Sequence, residues 1–238
     1  MSKLHVSLDD TKGIFKAIRD GEKKSIFETR TLSFLQELHL KYDTEFTLYC
    51  TYADADYQLE DVTEIYRDEF MKHSKWLHFG FHCFRESDEI SKQDLDQFVS
   101  NFTKFEEQIR RVTGQEEIGS ILRLHGFQGN KMICSFLKEI GVQILLASDD
   151  ERRNYFLDER QNHLLQTQRR VYDESLNIEF VKSCIRLEDA EDIMQDLIFR
   201  KREEDAIIPV FTHEWQMDYS EIRDKLEACC KWGAENNV

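Results

Sequence analysis

The apolar positions of the chain follow two alternating periods. In residues 3–8, Val6 and Leu8 alternate with His5 and Ser7, the two-residue period of a strand. Residues 31–42 set Leu32, Leu35, Leu38 and Leu40 near a helical period. The aromatic run 45–52 predicts a second strand, and residues 60–73, with Val62, Ile65, Tyr66 and Phe70 on one stripe, predict a helix. A third strand is expected over 76–81, ending at His82. A long helix over 92–111 carries Leu95, Phe98, Phe102, Phe105 and Ile109. Strand 118–124 runs into Gly126 and Gly129. Helix 131–140 closes at Gly141, a capping residue, before a fifth strand at 142–147. Residues 151–187 break the rhythm: short apolar runs around Tyr155, Ile178 and Val181 predict a β-hairpin excursion and then a strand at 181–187. Helix 190–201, strand 206–212 and helix 219–232 complete the pattern.

Strands alternating with helices predict a parallel sheet covered by helices. About seven such units in 238 residues fit an α/β fold of the (β/α) barrel type, seven-stranded or otherwise incomplete, better than an open doubly wound sheet. The whole chain, 1–238, is expected to be one domain. A hydrophobic fraction of 40% with 12% aromatic residues supports a folded core. The net charge of -15 argues against a nucleic-acid partner, whose phosphates need a basic patch. Six cysteines without a CxxC pair, several of them within apolar runs, point to reduced core thiols and a reducing compartment. The N-terminus lacks a basic-then-apolar export signal and no apolar run is long enough to span a membrane, so a cytoplasmic location without a membrane span is expected.

In a parallel barrel the chemistry sits at the C-terminal ends of the strands. The residues expected there are Asp9 and Asp10, His82, Arg123 and His125, and His213. Two adjacent carboxylates repel unless a cation or a shared proton separates them. The Asp9–Asp10 pair therefore suggests a metal ligand beside a base, with two solvated loop aspartates as the plain alternative. His82 shares one side of its strand with His78 and Gly80 and, lying at the strand end, is a candidate metal ligand. His78 sits roughly 13 Å deeper on an extended chain and reads as a core histidine. Only a helical segment would make the two an i,i+4 ligand pair.

This order of strand-end residues resembles the polysaccharide deacetylases of the NodB-homology type, carbohydrate esterase family 4. That family's first motif is TFDDG or similar, and here SLDDT stands at 7–11. Its second motif, H-(S/T)-x-x-H, corresponds to HCFRE at 82–86, which keeps the first histidine and replaces the second with Glu86. The third, R-x-P-(Y/F), corresponds to RLHGF at 123–127, with His125 where proline would stand. The fifth, an apolar strand ending in histidine, corresponds to IIPVFTHEW at 207–215.

The resemblance implies a metal-dependent hydrolase that removes an acetyl group from an N-acetylated sugar or glycan intermediate. It implies Asp9 as base, Asp10 and His82 as metal ligands, Arg123 as the partner that orients Asp9, and His213 as general acid. The third ligand is His125 or Glu86, with His125 favoured because imidazole is the commoner ligand of first-row metals. One carboxylate and two histidines suit a divalent metal, zinc first among them. Arg186 and Glu188 lie near a strand end without an assigned role. Trp215 is either a sugar-stacking platform or a core tryptophan. The altered motifs leave a second possibility, an inactive barrel of the same type that binds a carbohydrate or a partner.

Overall fold

The first strand, β1 (Lys3–Thr11), is buried on both faces, as a central parallel strand must be. Leu4, Val6 and Leu8 form one side. His5, Ser7 and Asp9 form the other and meet Tyr49 and Arg123 inside the barrel. The computed structural model describes residues 3–148, 154–202 and 206–238. After β1 come α1 (Gly13–Ile18), α2 (Arg30–Tyr42), β2 (Phe46–Thr51) and a small hairpin of β3 (Ala53–Asp54) and β4 (Tyr57–Gln58). Next are α3 (Arg67–Lys72), β5 (Leu77–Cys83), α4 (Leu95–Thr113), β6 (Ile121–Leu122), α5 (Lys131–Glu139) and β7 (Ile144–Ala147). The chain continues through α6 (Glu159–Gln168), β8 (Arg170–Asp173), β9 (Ile178–Lys182) and β10 (Ile185–Arg186). It ends with α7 (Ile193–Arg202), β11 (Ile207–His213) and α8 (Ser220–Asn236).

Two sheets share the barrel. One runs β10-β11-β1-β2-β5, all parallel. The other runs β6-β7-β9-β8, with β8 antiparallel at the edge. Only Ser183 and Cys184 separate β9 from β10, so the chain itself carries one sheet into the other. Counting β9 and β10 as one position, seven parallel positions form the ring, in agreement with the incomplete barrel expected.

The ring is open between β5 and β6, where no backbone pair is present among the described residues. Side chains span this seam. The Gln115 amide occupies the free edge of β5, accepting from the Phe79 N–H at 2.8 Å and donating to the Phe79 carbonyl at 2.6 Å. The Tyr49 hydroxyl crosses the interior to the Ile121 carbonyl at 3.2 Å. Gly80 makes room for that crossing, since a Cβ there would lie 2.8 Å from the Tyr49 ring.

The long amphipathic stripe of α4 behaves as its period predicts. Phe98, Phe102 and Phe105 pack edge-on around Phe81 of β5. Three expected elements differ. Residues 60–73 are α-helical only from Arg67 to Lys72, after a 3-10 turn at Leu59–Asp61. The Arg111 guanidinium takes the carbonyls of Leu59, Glu60 and Val62, acceptors that an earlier helix would need, while Val62, Tyr66 and Phe70 keep the buried stripe. The strand expected over 118–124 pairs only at Ile121 and Leu122, because Arg123 turns into the barrel. Within 151–187 the hairpin is present as β8 and β9, but the strand begins at Ile178 rather than Val181. The segment also holds α6, whose start is fixed by a capping box of Asp158 and Gln161 rather than by an apolar stripe. Residues 151–153 of that expected excursion lie outside the described residues.

Two measurements check this architecture. Gln115→Ala strips the Phe79 N–H and C=O of their partners, so urea unfolding should show a loss of about 1–3 kcal/mol. His5 is buried, and burial, then the Arg123 charge, pushes its imidazole down to about 3. The unfolded chain takes up that proton near pH 6.5 and the folded one does not, so stability is lost as pH falls between those two values. His5→Gln should reduce the drop in unfolding free energy between pH 7 and pH 4.5. An unchanged drop would show that His5 does not carry it.

Candidate active site

Asp9 and Asp10 reach one space because the strand bends between them. Asp10 adopts a left-handed backbone, φ +54°, and the register of β1 against β2 shifts between Leu8 and Thr11. Strand alternation, which would send adjacent carboxylates to opposite sides, is thereby broken at the one residue where it matters. The loop that follows is clamped by Glu214. Its carboxylate accepts the backbone N–H groups of Lys12, Gly13 and Ile14 at 2.8, 2.6 and 2.7 Å. Nothing in the sequence distinguishes Glu214 from a solvated acid, yet it is buried and raised above the usual carboxylate range by burial, despite those three donors.

Arg123 is fully buried behind Asp9. One guanidinium nitrogen donates to Asp9 Oδ1 at 2.9 Å and to Ser7 Oγ at 2.9 Å, and the other donates to Ser183 Oγ at 3.3 Å. The cation also faces the Phe211 ring, 4.1 Å from its centroid.

In front of this pair, Asp10, His82 and His125 each bring a ligand-competent atom to within 4.8 Å of the others. His82 Nε2 and His125 Nδ1 both lie 3.3 Å from Asp10 Oδ1. His82 Nδ1 lies 2.8 Å from the Arg123 carbonyl. A carbonyl only accepts, so Nδ1 carries the hydrogen and Nε2 presents its lone pair to the cluster. Asp10 Oδ1 is buried and accepts no hydrogen bond of proper geometry. An orphaned buried carboxylate oxygen, a tautomer fixed from behind and one-carboxylate, two-imidazole chemistry together fit a divalent first-row cation. Burial raises the Asp10 carboxyl, but the adjoining His125 and His82 outweigh it and hold the group well below the usual range. Burial lowers His82, and the charge of Asp9 with the contact to Asp10 more than reverses this. The site thus concentrates negative charge that protons or a metal ion must balance.

Glu86, the other possible third ligand, is turned away. Its carboxylate meets Lys12 Nζ at 2.5 Å, and the same ammonium holds Asp54 at 2.8 Å. His78 is absent from the cluster. His213 faces the cluster from the end of β11, with Nε2 4.0 Å from Asp10 Oδ2. Its Nδ1–H donates to Glu188 Oε1 at 2.8 Å, and Thr212 Oγ1 and the His213 N–H donate to the same oxygen. Burial would lower His213, but the bond to Glu188 and the charges of Asp9, Glu188 and Asp10 raise it. Glu188 gains the partner that the sequence did not reveal. The Trp215 indole stacks beside His213, with centroids 5.8 Å apart, and is 56% exposed, so it is not a core tryptophan.

No family model matches the chain, and no curated protein does. Solved structures do. A mutant of a Bacillus anthracis carbohydrate esterase family 4 pseudoenzyme, with restored enzymatic activity, superposes with TM-score 0.51 at 13% identity, over 99% of this chain and 64% of that one. A Mycobacterium smegmatis protein described as a polysaccharide deacetylase gives 0.54 at 10% identity, over 95% and 83%. A 4-alpha-glucanotransferase from Thermococcus litoralis gives 0.58 at 11%, over 96% of this chain and 38% of that one. The chain therefore has the barrel-like α/β fold of family 4 polysaccharide deacetylases, and it spans under two thirds of the pseudoenzyme's length.

The choice of ligands is open to a direct check. With protein loaded with zinc, elemental analysis should find close to one equivalent in the wild type and in Glu86→Ala. None should remain in the double variant His82→Ala, His125→Ala. Metal lost from Glu86→Ala and kept by the double variant would reverse the assignment.

Proposed function

We propose that the protein is a zinc-dependent hydrolase that removes an acetyl group from an N-acetylated sugar or glycan intermediate. The observation that carries this reading is the division of labour around Asp10: a cluster of cation-binding groups, flanked by one carboxylate backed by Arg123 and one imidazole backed by Glu188. The same fold also supports a glucanotransferase, so the fold does not choose the reaction and the site must.

Asp10, His82 and His125 would hold the ion. A divalent cation supplies charge that acidifies an attacking water and polarises the acetyl carbonyl. Asp9 accepts the proton of that water. Arg123 pairs with Asp9 and fixes its direction through the 2.9 Å contact. His213 holds a proton at Nε2 for the departing amine, because Nδ1–H is committed to Glu188 and the surrounding carboxylates favour the imidazolium. Histidine delivers a proton from Nε2 only if that atom is free of the metal, and it is the nitrogen aimed at the reaction space. Among the described residues no helix is long and apolar enough to cross a membrane.

Acetate release from a panel of N-acetylated and O-acetylated sugars tests the reading. Asp9→Asn should keep the metal and lose about 10²- to 10⁴-fold in turnover, the usual loss for a general base. It should also melt lower, since it removes the counter-charge of a buried guanidinium, so circular dichroism must first establish that the variant is folded at assay temperature. His213→Ala should keep the metal and lose the alkaline limb of the pH–rate profile, which reports deprotonation of the acid. Metal-loaded wild type that releases no acetate from any of them would exclude the hydrolase and leave a barrel that only binds.

A further inference from the structure

Asp10 stands where the strand ladders let go. Pairing of β1 with β11 ends at Asp9, opposite His213. Pairing with β2 is interrupted between Leu8 and Thr11. Asp10 falls in that gap with a left-handed backbone, φ +54°, which crowds the Cβ of any residue but glycine. Its Oδ1 is nevertheless placed 3.3 Å from both His82 Nε2 and His125 Nδ1. The sheet alone does not account for that placement, and the loop that follows Asp10 must share in it.

That loop is held from the far end of the chain. The N–H groups of Lys12 and Gly13 converge on Glu214 Oε2, and the N–H of Ile14 donates to Oε1. These are the first donors of α1, for which Lys12 supplies no side-chain cap. Three donors occupy both oxygens of a carboxylate. An amide would offer one acceptor oxygen and turn an NH2 group toward the remaining N–H. The approach is close because Gly13 lacks a side chain: a Cβ there would lie 2.9 Å from Glu214 Oε1. Glu214 directly follows His213, so the loop that carries Asp10 and the strand end that carries His213 share one buried anchor.

On the zinc-hydrolase reading above, we infer that Glu214 is a positioning residue for the cation: it fixes the β1–α1 loop, through the loop the carboxylate of Asp10, and so the affinity of the site for a divalent ion. Its own oxygens are spent on backbone N–H groups, and it acts on the ion only through Asp10. Groups that support a metal ligand from behind are typically worth about 10- to 100-fold in metal affinity.

Metal-free wild type, Glu214→Gln and Gly13→Ala are titrated with zinc against a chromophoric chelator, with circular dichroism and urea unfolding of the metal-free forms recorded alongside. Gly13→Ala keeps the carboxylate and gives α1 the better helix former, yet its Cβ displaces Oε1. The zinc dissociation constant should rise about tenfold or more in both variants while the metal-free forms remain folded at the titration temperature. A rise in Glu214→Gln alone reflects a carboxylate removed from near the ion and overturns the positioning role. An unchanged constant in both, with only the urea midpoint lowered, leaves Glu214 a structural clamp and overturns it too. If Glu214→Gln does not fold, Gly13→Ala decides alone. A raised constant in both variants, with no acetate released by zinc-loaded wild type, supports the positioning role and removes the deacetylase. Acetate release by wild type with an unchanged constant in Gly13→Ala does the reverse, and a wild type that binds no zinc overturns both.

Discussion

The fold and the site both depend on one buried charge pair. Arg123 has no exposed surface, and taking such a cation out of water costs several kcal/mol even after relaxation. Asp9, Ser7 and Ser183 offset that cost at 2.9, 2.9 and 3.3 Å, and the Phe211 and Tyr49 rings cover the guanidinium. These partners belong to β1, β2, β11 and the β9–β10 junction, and the Arg123 carbonyl takes the His82 N–H from β5. A single residue thus touches most of the ring from inside. Breaking a buried pair by removing one partner leaves an uncompensated charge, at roughly 3–5 kcal/mol. The carboxylate proposed as the base is therefore also the carboxylate that compensates the buried guanidinium.

Much of this was legible in the sequence, for identifiable reasons. Strand ends advertise themselves when an apolar run stops at a charged or imidazole side chain, as at Asp9, His82 and His213. What stayed hidden was set by contacts between distant segments. The loss of helix before Arg67 depends on Arg111, 49 to 52 residues later in the chain, taking the carbonyls of Leu59, Glu60 and Val62. The α6 helix is too polar to leave a stripe, with Leu165 its one buried residue. Glu188 and Glu214 look like any other acid of a chain with 47 of them, and what separates them is contacts with distant segments, His213 and Thr212 for Glu188 and the β1–α1 loop for Glu214.

The two altered motifs are explained together by the geometry. Glu86, where a second histidine would stand, is held by Lys12 at the rim, and His125, where proline would stand, faces Asp10. Position 125 can do this because the backbone turns there: residues 125–127 form a short 3-10 turn with Gly126 at φ +61°. A proline at 125 would offer no donor, and a histidine offers Nδ1. The cluster that could hold a cation comprises one carboxylate and two imidazoles, one from β5 and one from the turn after β6. A superposition at 10–13% identity would not reveal this exchange, because it compares backbones and the change is one of side chains.

The exchange also changes which parts of the barrel the cluster connects. With Glu86, both non-aspartate ligands would come from β5 and the loop that follows it. With His125, they come from opposite sides of the β5–β6 seam, the one place where no backbone pair joins neighbouring strands among the described residues. Across that seam the present links are side-chain bonds: Tyr49 to Ile121, His82 to Arg123, and the Gln115 amide covering the edge of β5. A cation held by Asp10, His82 and His125 would add a stronger link there, one that ties β1 and β5 to the loop after β6. Since the three ligands are far apart in the unfolded chain, the binding free energy of such an ion is felt as folding free energy of the ring. With such an ion bound, the chemistry of the proposed site and the completion of the barrel would rest on the same three side chains.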